Sequence, residues 1–270
     1  MFKSILVASS FLLSSLMLTA QTTISYDFGD QEASFKPNPG ASSTSFLPKL
    51  TSSKSARVRV RTASDGSGEF NLVKQGADFI KGSGLEIVAG TTTSKLSLYN
   101  LPTGAVSKTA FNLKFDKSMA GQWIFANGNT MAQDDVFQGN SGLKESNTEV
   151  FAGLRWVLSE ANEIAFYYRN GSKWTRSKSS PFAKDGAYLI EIFSNNSKGP
   201  LKFSKNGEQL IAAGTYQVWV NGERIPGEFN SGGLDQGSLV NGLLLLGYVP
   251  KGSDARPKLW IDNLQVNESL

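Results

Sequence analysis

Apolar and polar residues alternate with a period of two along most of this chain. Phe111, Leu113 and Phe115 fall on one side of a stretch whose other side carries Asn112, Lys114 and Asp116. The same alternation recurs in Leu154, Trp156 and Leu158, in Ile164, Phe166 and Tyr168, and in Tyr188, Ile190 and Ile192. Successive side chains of a strand point to opposite faces, so the pattern predicts half-buried strands. No segment carries a helical stripe of useful length. Residues 215–266 show the order most plainly: strand, Asn-Gly turn, strand, loop, the apolar run Leu243–Leu246, loop, closing strand.

The turns support this reading. Asn170-Gly171, Asn206-Gly207 and Asn221-Gly222 each separate two short alternating runs. Both central residues of a two-residue type I′ turn need positive φ, which Asn and Gly tolerate best, so each pair predicts a tight hairpin. A strand every 8 to 12 residues then points to a sandwich of about a dozen strands. Residues 23–28 read as a first strand. Residues 36–56, rich in Pro, Ser, Thr and Lys, read as a long surface excursion.

The amino terminus indicates export. Lys3 precedes an apolar stretch from Ile5 to Leu18, and Ala20 is a small residue before polar sequence begins at Gln21. This predicts a signal peptide at 1–20, too short in its apolar part to span a bilayer, and a secreted, cell-surface or periplasmic protein. No later segment reads as a transmembrane helix. Residues 21–270 are long enough for one β domain that buries about three quarters of its unfolded surface. That much core holds a secreted domain without disulfides, and the chain has no Cys.

Charge and composition narrow the function. Without Lys3 the chain has 26 basic and 23 acidic residues, too even and dispersed a balance for a nucleic-acid footprint. It contains no histidine, which removes Ser-His-Asp chemistry, His zinc sites and lyases with a His base. Any acid–base step would fall to carboxylates, Tyr, Lys or Arg.

The segments Val218-Trp-Val-Asn-Gly-Glu223, Leu243-Leu-Leu-Leu-Gly247 and Trp260-Ile-Asp-Asn-Leu-Gln-Val266 together resemble the concanavalin A-like or laminin-G-like jelly roll. The stretch from Tyr188 to Gly222 is also similar to β modules of secreted, surface-associated bacterial proteins. The resemblance implies an all-β, two-sheet antiparallel jelly-roll sandwich. It implies no single activity, because the fold hosts lectins, glycan-binding modules, glycosidases, lyases and adhesion domains. Glucanases of this fold place Glu-x-Asp-x-Glu on one strand, and no Glu here is followed two residues later by Asp. Glycan-binding sandwiches of the kind often hold a structural calcium near the first and last strands, where Asp27, Asp30 and Asp262 offer oxygen ligands. No other cofactor is expected.

Candidate site residues follow from the alternation. Glu191 is an acid within an apolar strand and the weak candidate for a catalytic acid; the alternative is an outward Glu paired with a cross-strand cation. Trp219 shares the polar face of its strand with Thr215 and Gln217, which suits a sugar ring: a flat apolar platform beside donors and acceptors. The alternative is an indole packed under a loop. Tyr167 and Trp174 extend such a platform, while Trp156 alternates with leucines and belongs to the core. Arg57, Arg59 and Arg61 place three guanidinium groups about 7 Å apart on one strand face. They suit an anionic polysaccharide, or simply a solvated face. Lys173, Arg176 and Lys178 form a second basic cluster around Trp174.

The expected protein is therefore a secreted, non-catalytic binding module for a polysaccharide or cell-surface component. A hydrolase or lyase of the same fold, or a structural adhesion or matrix protein, are the alternatives.

Overall fold

The computed structural model describes residues 23–36, 39–51, 53–130 and 135–270. The expected signal peptide, 1–20, lies outside them. The first strands are β1 (Thr23–Tyr26), β2 (Ala33–Phe35), β3 (Ser42–Ser43), β4 (Arg57–Arg61), β5 (Glu69–Val73), β6 (Gly84–Val88) and β7 (Ser94–Tyr99). Then come β8 (Val106–Phe115), β9 (Gly121–Gly128), β10 (Val150–Leu158), β11 (Ala165–Asn170), β12 (Lys173–Arg176) and β13 (Ala187–Asn195). The last are β14 (Leu201–Ser204), β15 (Glu208–Ile211), β16 (Thr215–Val220), β17 (Glu223–Arg224), β18 (Phe229–Asn230), β19 (Gly242–Tyr248) and β20 (Lys258–Asn267).

Two large sheets form the sandwich. One has ten strands, in the order β17-β16-β13-β8-β20-β6-β5-β2, with β1 also on β20 and β18 on β16. The other has eight, in the order β12-β11-β10-β9-β19-β7-β4-β3. Every pair of these strands is antiparallel. The expected fold class, an all-β two-sheet antiparallel sandwich, is the one observed.

The inner faces are the alternating residues of the sequence. Phe111, Leu113, Phe115, Leu154, Trp156, Phe166, Ile190 and Ile192 are all buried in one cluster with Val218, Leu243, Leu245 and Ile261. A strand satisfies its backbone through its neighbours and can bury one face, which is why the two-residue period persists through these segments.

A third, smaller layer was not apparent from the pattern. Strands β14 and β15 pair only with each other. They fold over the outer face of the ten-stranded sheet, where Phe203 and Ile211 of the hairpin close on Phe193 and Trp219. The Phe193 and Phe203 rings stack at 4.5 Å.

Two further expectations change. Only Asn221-Gly222 forms the two-residue turn with positive φ at both positions. Asn206 and Gly207 also have positive φ but sit in a three-residue loop, since Ser204 pairs with Glu208. Asn170 remains in the ladder opposite Lys173, so the bend passes to Gly171 and Ser172, with Gly171 alone at positive φ, as a type II′ turn requires. Residues 36–56 are also more than an excursion: Ser42–Ser43 extends the eight-stranded sheet, and Leu47 and Leu50 are buried in the core. No helix among the described residues is long and apolar enough to cross a membrane.

Candidate functional site

The hairpin layer decides the fate of the leading candidates. Trp219 does lie on the outer face, but it is only 3% exposed because the β14–β15 hairpin covers it. Gln217 is fully buried beside it and donates its amide to the Leu210 carbonyl at 2.8 Å and to Glu228 at 3.1 Å. Neither is the open platform expected of them. The indole packs beneath the chain's own hairpin.

Glu191 is on the same covered face and is 4% exposed. Lys108 from β8 reaches it at 2.8 Å, and Lys205 from the hairpin loop at 2.5 Å. Burial alone would raise its pKa, but the hydrogen bonds and charges of the two lysines outweigh burial and hold the carboxyl below the usual range. A carboxylate held ionised between two ammonium groups is a poor general acid. Its role here is to tie the hairpin to the sheet.

The three arginines of β4 alternate with buried Val58 and Val60. Arg57 donates to the carbonyls of Lys54 and Ala56, and Arg59 to that of Gly139 at 2.6 Å. Two of the three are thus committed to backbone, and they lie beyond a segment that covers the middle of the eight-stranded sheet. In that segment Val136, Phe137 and Leu143 pack on Ile124, Ala126, Leu244 and Leu246. Lys95, 1% exposed, holds one part of it by donating to the carbonyls of Val136, Gly139 and Ser141 at 2.9, 2.8 and 3.0 Å. Burial, with Arg59 and Arg61 acting the same way, pushes the Lys95 amine down to about 7. Fully buried Arg169 holds the other part, donating to the carbonyls of Lys144, Glu145 and Asn147.

Beyond this cover the outer face is open, and there Tyr167 and Trp174 come together. Tyr167 stands directly opposite Arg155 on β10 and Arg176 on β12. The Arg155 guanidinium lies over both rings, 4.3 Å from the Tyr167 centroid and 5.0 Å from that of Trp174. The tight turn at Gly171-Ser172 brings Trp174 back beside Arg169, and Gly153 leaves room for it: a Cβ on Gly153 would meet the indole at 3.2 Å. Tyr248, hydrogen-bonded to the Gln122 side chain, borders Arg155 on the other side; burial raises its phenol pKa against the opposing charge of Arg155. It also edges a depression of about 190 Å³ lined by Thr92, Thr93, Leu143 and Leu246. That volume is below the roughly 300–1,000 Å³ of enclosing ligand pockets, so a ligand would lie across it. Tyr167, Trp174 and Tyr248 are all half-buried.

Arg155, Tyr248 and Gly153 were missed by the sequence reading. Arg155 had a usable signal, the same one that singled out Glu191: a lone charge inside the apolar run from Val150 to Leu158.

The other outer face carries a pair of carboxylates. Asn71 donates to Glu69 at 3.1 Å and to Glu86 at 3.0 Å. Lys36 pairs with Glu69 and Lys258 with Glu86. Burial pushes the Glu69 pKa up, yet Lys36 and Asn71 outweigh it and hold the carboxyl low. Glycoside hydrolysis needs one carboxyl of a pair protonated, and the lowered pKa of Glu69 works against that role for it.

The three aspartates proposed for calcium do not assemble a site. Asp27 accepts from its own turn at Gly29, and Asp262 is 1% exposed and accepts from Asn263. Burial, reinforced by the charge of Asp27, raises the Asp262 pKa. Among the described residues no three acidic side chains are grouped to hold a metal ion.

No protein-family model matches the sequence, and no curated protein matches it. Solved structures with a similar chain path include the T. cruzi calreticulin globular domain, at 10% identity and a TM-score of 0.46, covering 76% of this chain and 80% of that one. A Bacillus subtilis protein with a galectin-like fold is similar at 11% identity and a TM-score of 0.43, covering 87% of this chain and 98% of that one. The binding domain of Botulinum neurotoxin DC is similar at 11% identity and a TM-score of 0.48; it covers 91% of this chain, which spans about half of it (48%).

Proposed function

We propose that this protein is an exported, non-catalytic glycan-binding module of the concanavalin A-like kind, directed out of the cytoplasm by residues 1–20. Its ligand lies on the open part of the eight-stranded sheet's outer face. One observation carries the reading: Tyr167 and Trp174 bracket the Arg155 guanidinium beside the segment that covers the middle of this face. Aromatic planes beside hydrogen-bonding groups match the two faces of a pyranose, one apolar and one hydroxylated. Binding needs no proton transfer, and both acidic groups weighed as catalysts, Glu191 and the Glu69–Glu86 pair, are held by lysines.

A glycan array run with wild type, Trp174→Ala and Tyr167→Ala tests it. Wild type is expected to retain a defined set of glycans. Either substitution at a central aromatic is expected to weaken that binding by about 30-fold, equivalent to ~2 kcal/mol. Retention of no glycan by wild type, or retention unchanged in both variants, would sink the proposal.

A further inference from the structure

Arg155 differs from the other inward-held cations of this protein in how it is satisfied. Arg59, Lys95 and Arg169 all donate to backbone carbonyls. Among the described residues Arg155 has no carboxylate partner and no hydrogen-bond acceptor. Its Nε is shielded from solvent without a partner, and its contacts are the ring faces of Tyr167 and Trp174. A ring face attracts the charge of a guanidinium but accepts none of its N–H groups in the ordinary sense. The terminal N–H groups of Arg155, unlike its shielded Nε, are therefore left for something else, while the two rings fix its position.

The surroundings reinforce this. Arg176 flanks Tyr167 on the side away from Arg155 and shares the face of Trp174, and Lys178, exposed, follows two residues on. The strand partners around Arg155 are Tyr167 and Ile124, so no acid opposes it across either ladder. A planar, rigid fork of donors with aromatic walls and positive neighbours complements a planar carboxylate, which can accept two parallel N–H bonds.

Resting on the glycan-binding reading above, we infer that the ligand is an acidic sugar, a uronic or sialic acid residue, whose carboxylate pairs with Arg155 between Tyr167 and Trp174. Arg57 and Arg59 of β4 are not required for this contact, since both are turned to backbone carbonyls.

The test compares an acid with its own neutral form. A printed panel of oligogalacturonates, oligoglucuronates, sialylated, sulfated and neutral oligosaccharides is probed first. The tightest carboxylated ligand and its methyl ester are then titrated calorimetrically against wild type, Arg155→Gln and Arg155→Lys. The acid is expected to bind wild type about 10-fold or more tighter than the ester, with the gap shrinking as salt rises from 50 to 500 mM. In Arg155→Gln the acid-to-ester ratio is expected to fall to about 1, and in Arg155→Lys to an intermediate value. Equal binding of acid and ester by wild type, or a panel that retains only neutral or only sulfated glycans, overturns the inference and leaves the glycan-binding proposal standing. Retention of no glycan overturns both. The wild-type comparison needs no variant to fold, and thermal unfolding of Arg155→Gln separates lost recognition from lost structure.

Discussion

The indole of Trp174 occupies the space that a side chain on Gly153 would take, two strands away in the same sheet. A Cβ on Gly153 would stand 3.2 Å from the indole and 3.0 Å from the Cβ of Arg169. One absent methyl group thus lets an aromatic ring lie across the sheet, within reach of Arg155. Gly153→Ala is expected to lift the indole and weaken glycan binding by about 10-fold, at a stability cost of ~1–3 kcal/mol from overpacking. Calorimetric titration beside denaturant unfolding measures both. Unchanged affinity would mean that the ring's placement does not matter to the ligand.

Trp219 makes the contrasting case. Since it packs under the β14–β15 hairpin with Phe193 and Phe203, Trp219→Ala is expected to destabilise the fold by about 3–5 kcal/mol, as large-to-small changes in a core do. Binding by the folded protein should stay as it was. Urea unfolding read by tryptophan fluorescence gives the first number, and titration below the transition gives the second.

The Glu191 ion pairs carry a pH dependence with a definite sign. The carboxyl has a lower pKa in the folded chain than in the unfolded one. Its stabilising contribution is therefore present above the unfolded value of about 4.3 and disappears as pH falls through the lower folded value. Glu191→Gln should lose about 1–3 kcal/mol at neutral pH, because two partly buried lysines keep no counter-charge. The gap between wild type and variant should narrow on acidification. Thermal unfolding at pH 7, 5 and 3 follows that gap, and a constant gap would remove Glu191 as its source.

Lys95 is the anchor of the segment over the eight-stranded sheet. Lys95→Met leaves the carbonyls of Val136, Gly139 and Ser141 without their shared donor, at a cost of about 1–3 kcal/mol for each carbonyl that water cannot reach. Amide exchange in residues 135–149 should accelerate well beyond the change in the rest of the protein. Acceleration spread evenly over the chain would argue against a local anchor.

How far the sequence could lead is visible in two neighbouring strands. The alternation of Tyr216, Val218 and Val220 located the inner face of β16, because the main core imposes a two-residue period on any strand that lines it. The outer face of the same strand left two readings open, a platform or an indole packed under a loop, and the hairpin makes it the second. Its exposure depends on whether another part of the chain folds across it, and periodicity within β16 is silent about that. A trace existed in Phe203 and Ile211, apolar residues of a short polar hairpin that needed something to pack on. Tyr167 and Trp174 were recognised separately as outward aromatics. Their meeting at Arg155 was out of reach, because it depends on cross-strand register between β10, β11 and β12, and a one-residue slip would have reversed every side chain involved.

Strand β1 pairs with the far half of β20, so Thr23 stands directly across from Asn267. Both ends of the folded region therefore leave from the ten-stranded sheet, while the aromatic patch looks outward from the other sheet, with the sandwich core of about 10 Å between them. A bead, a dye or a fused partner joined at either end would hold the molecule through the sheet that does not carry the patch. Attachment there leaves the strands that build the patch untouched.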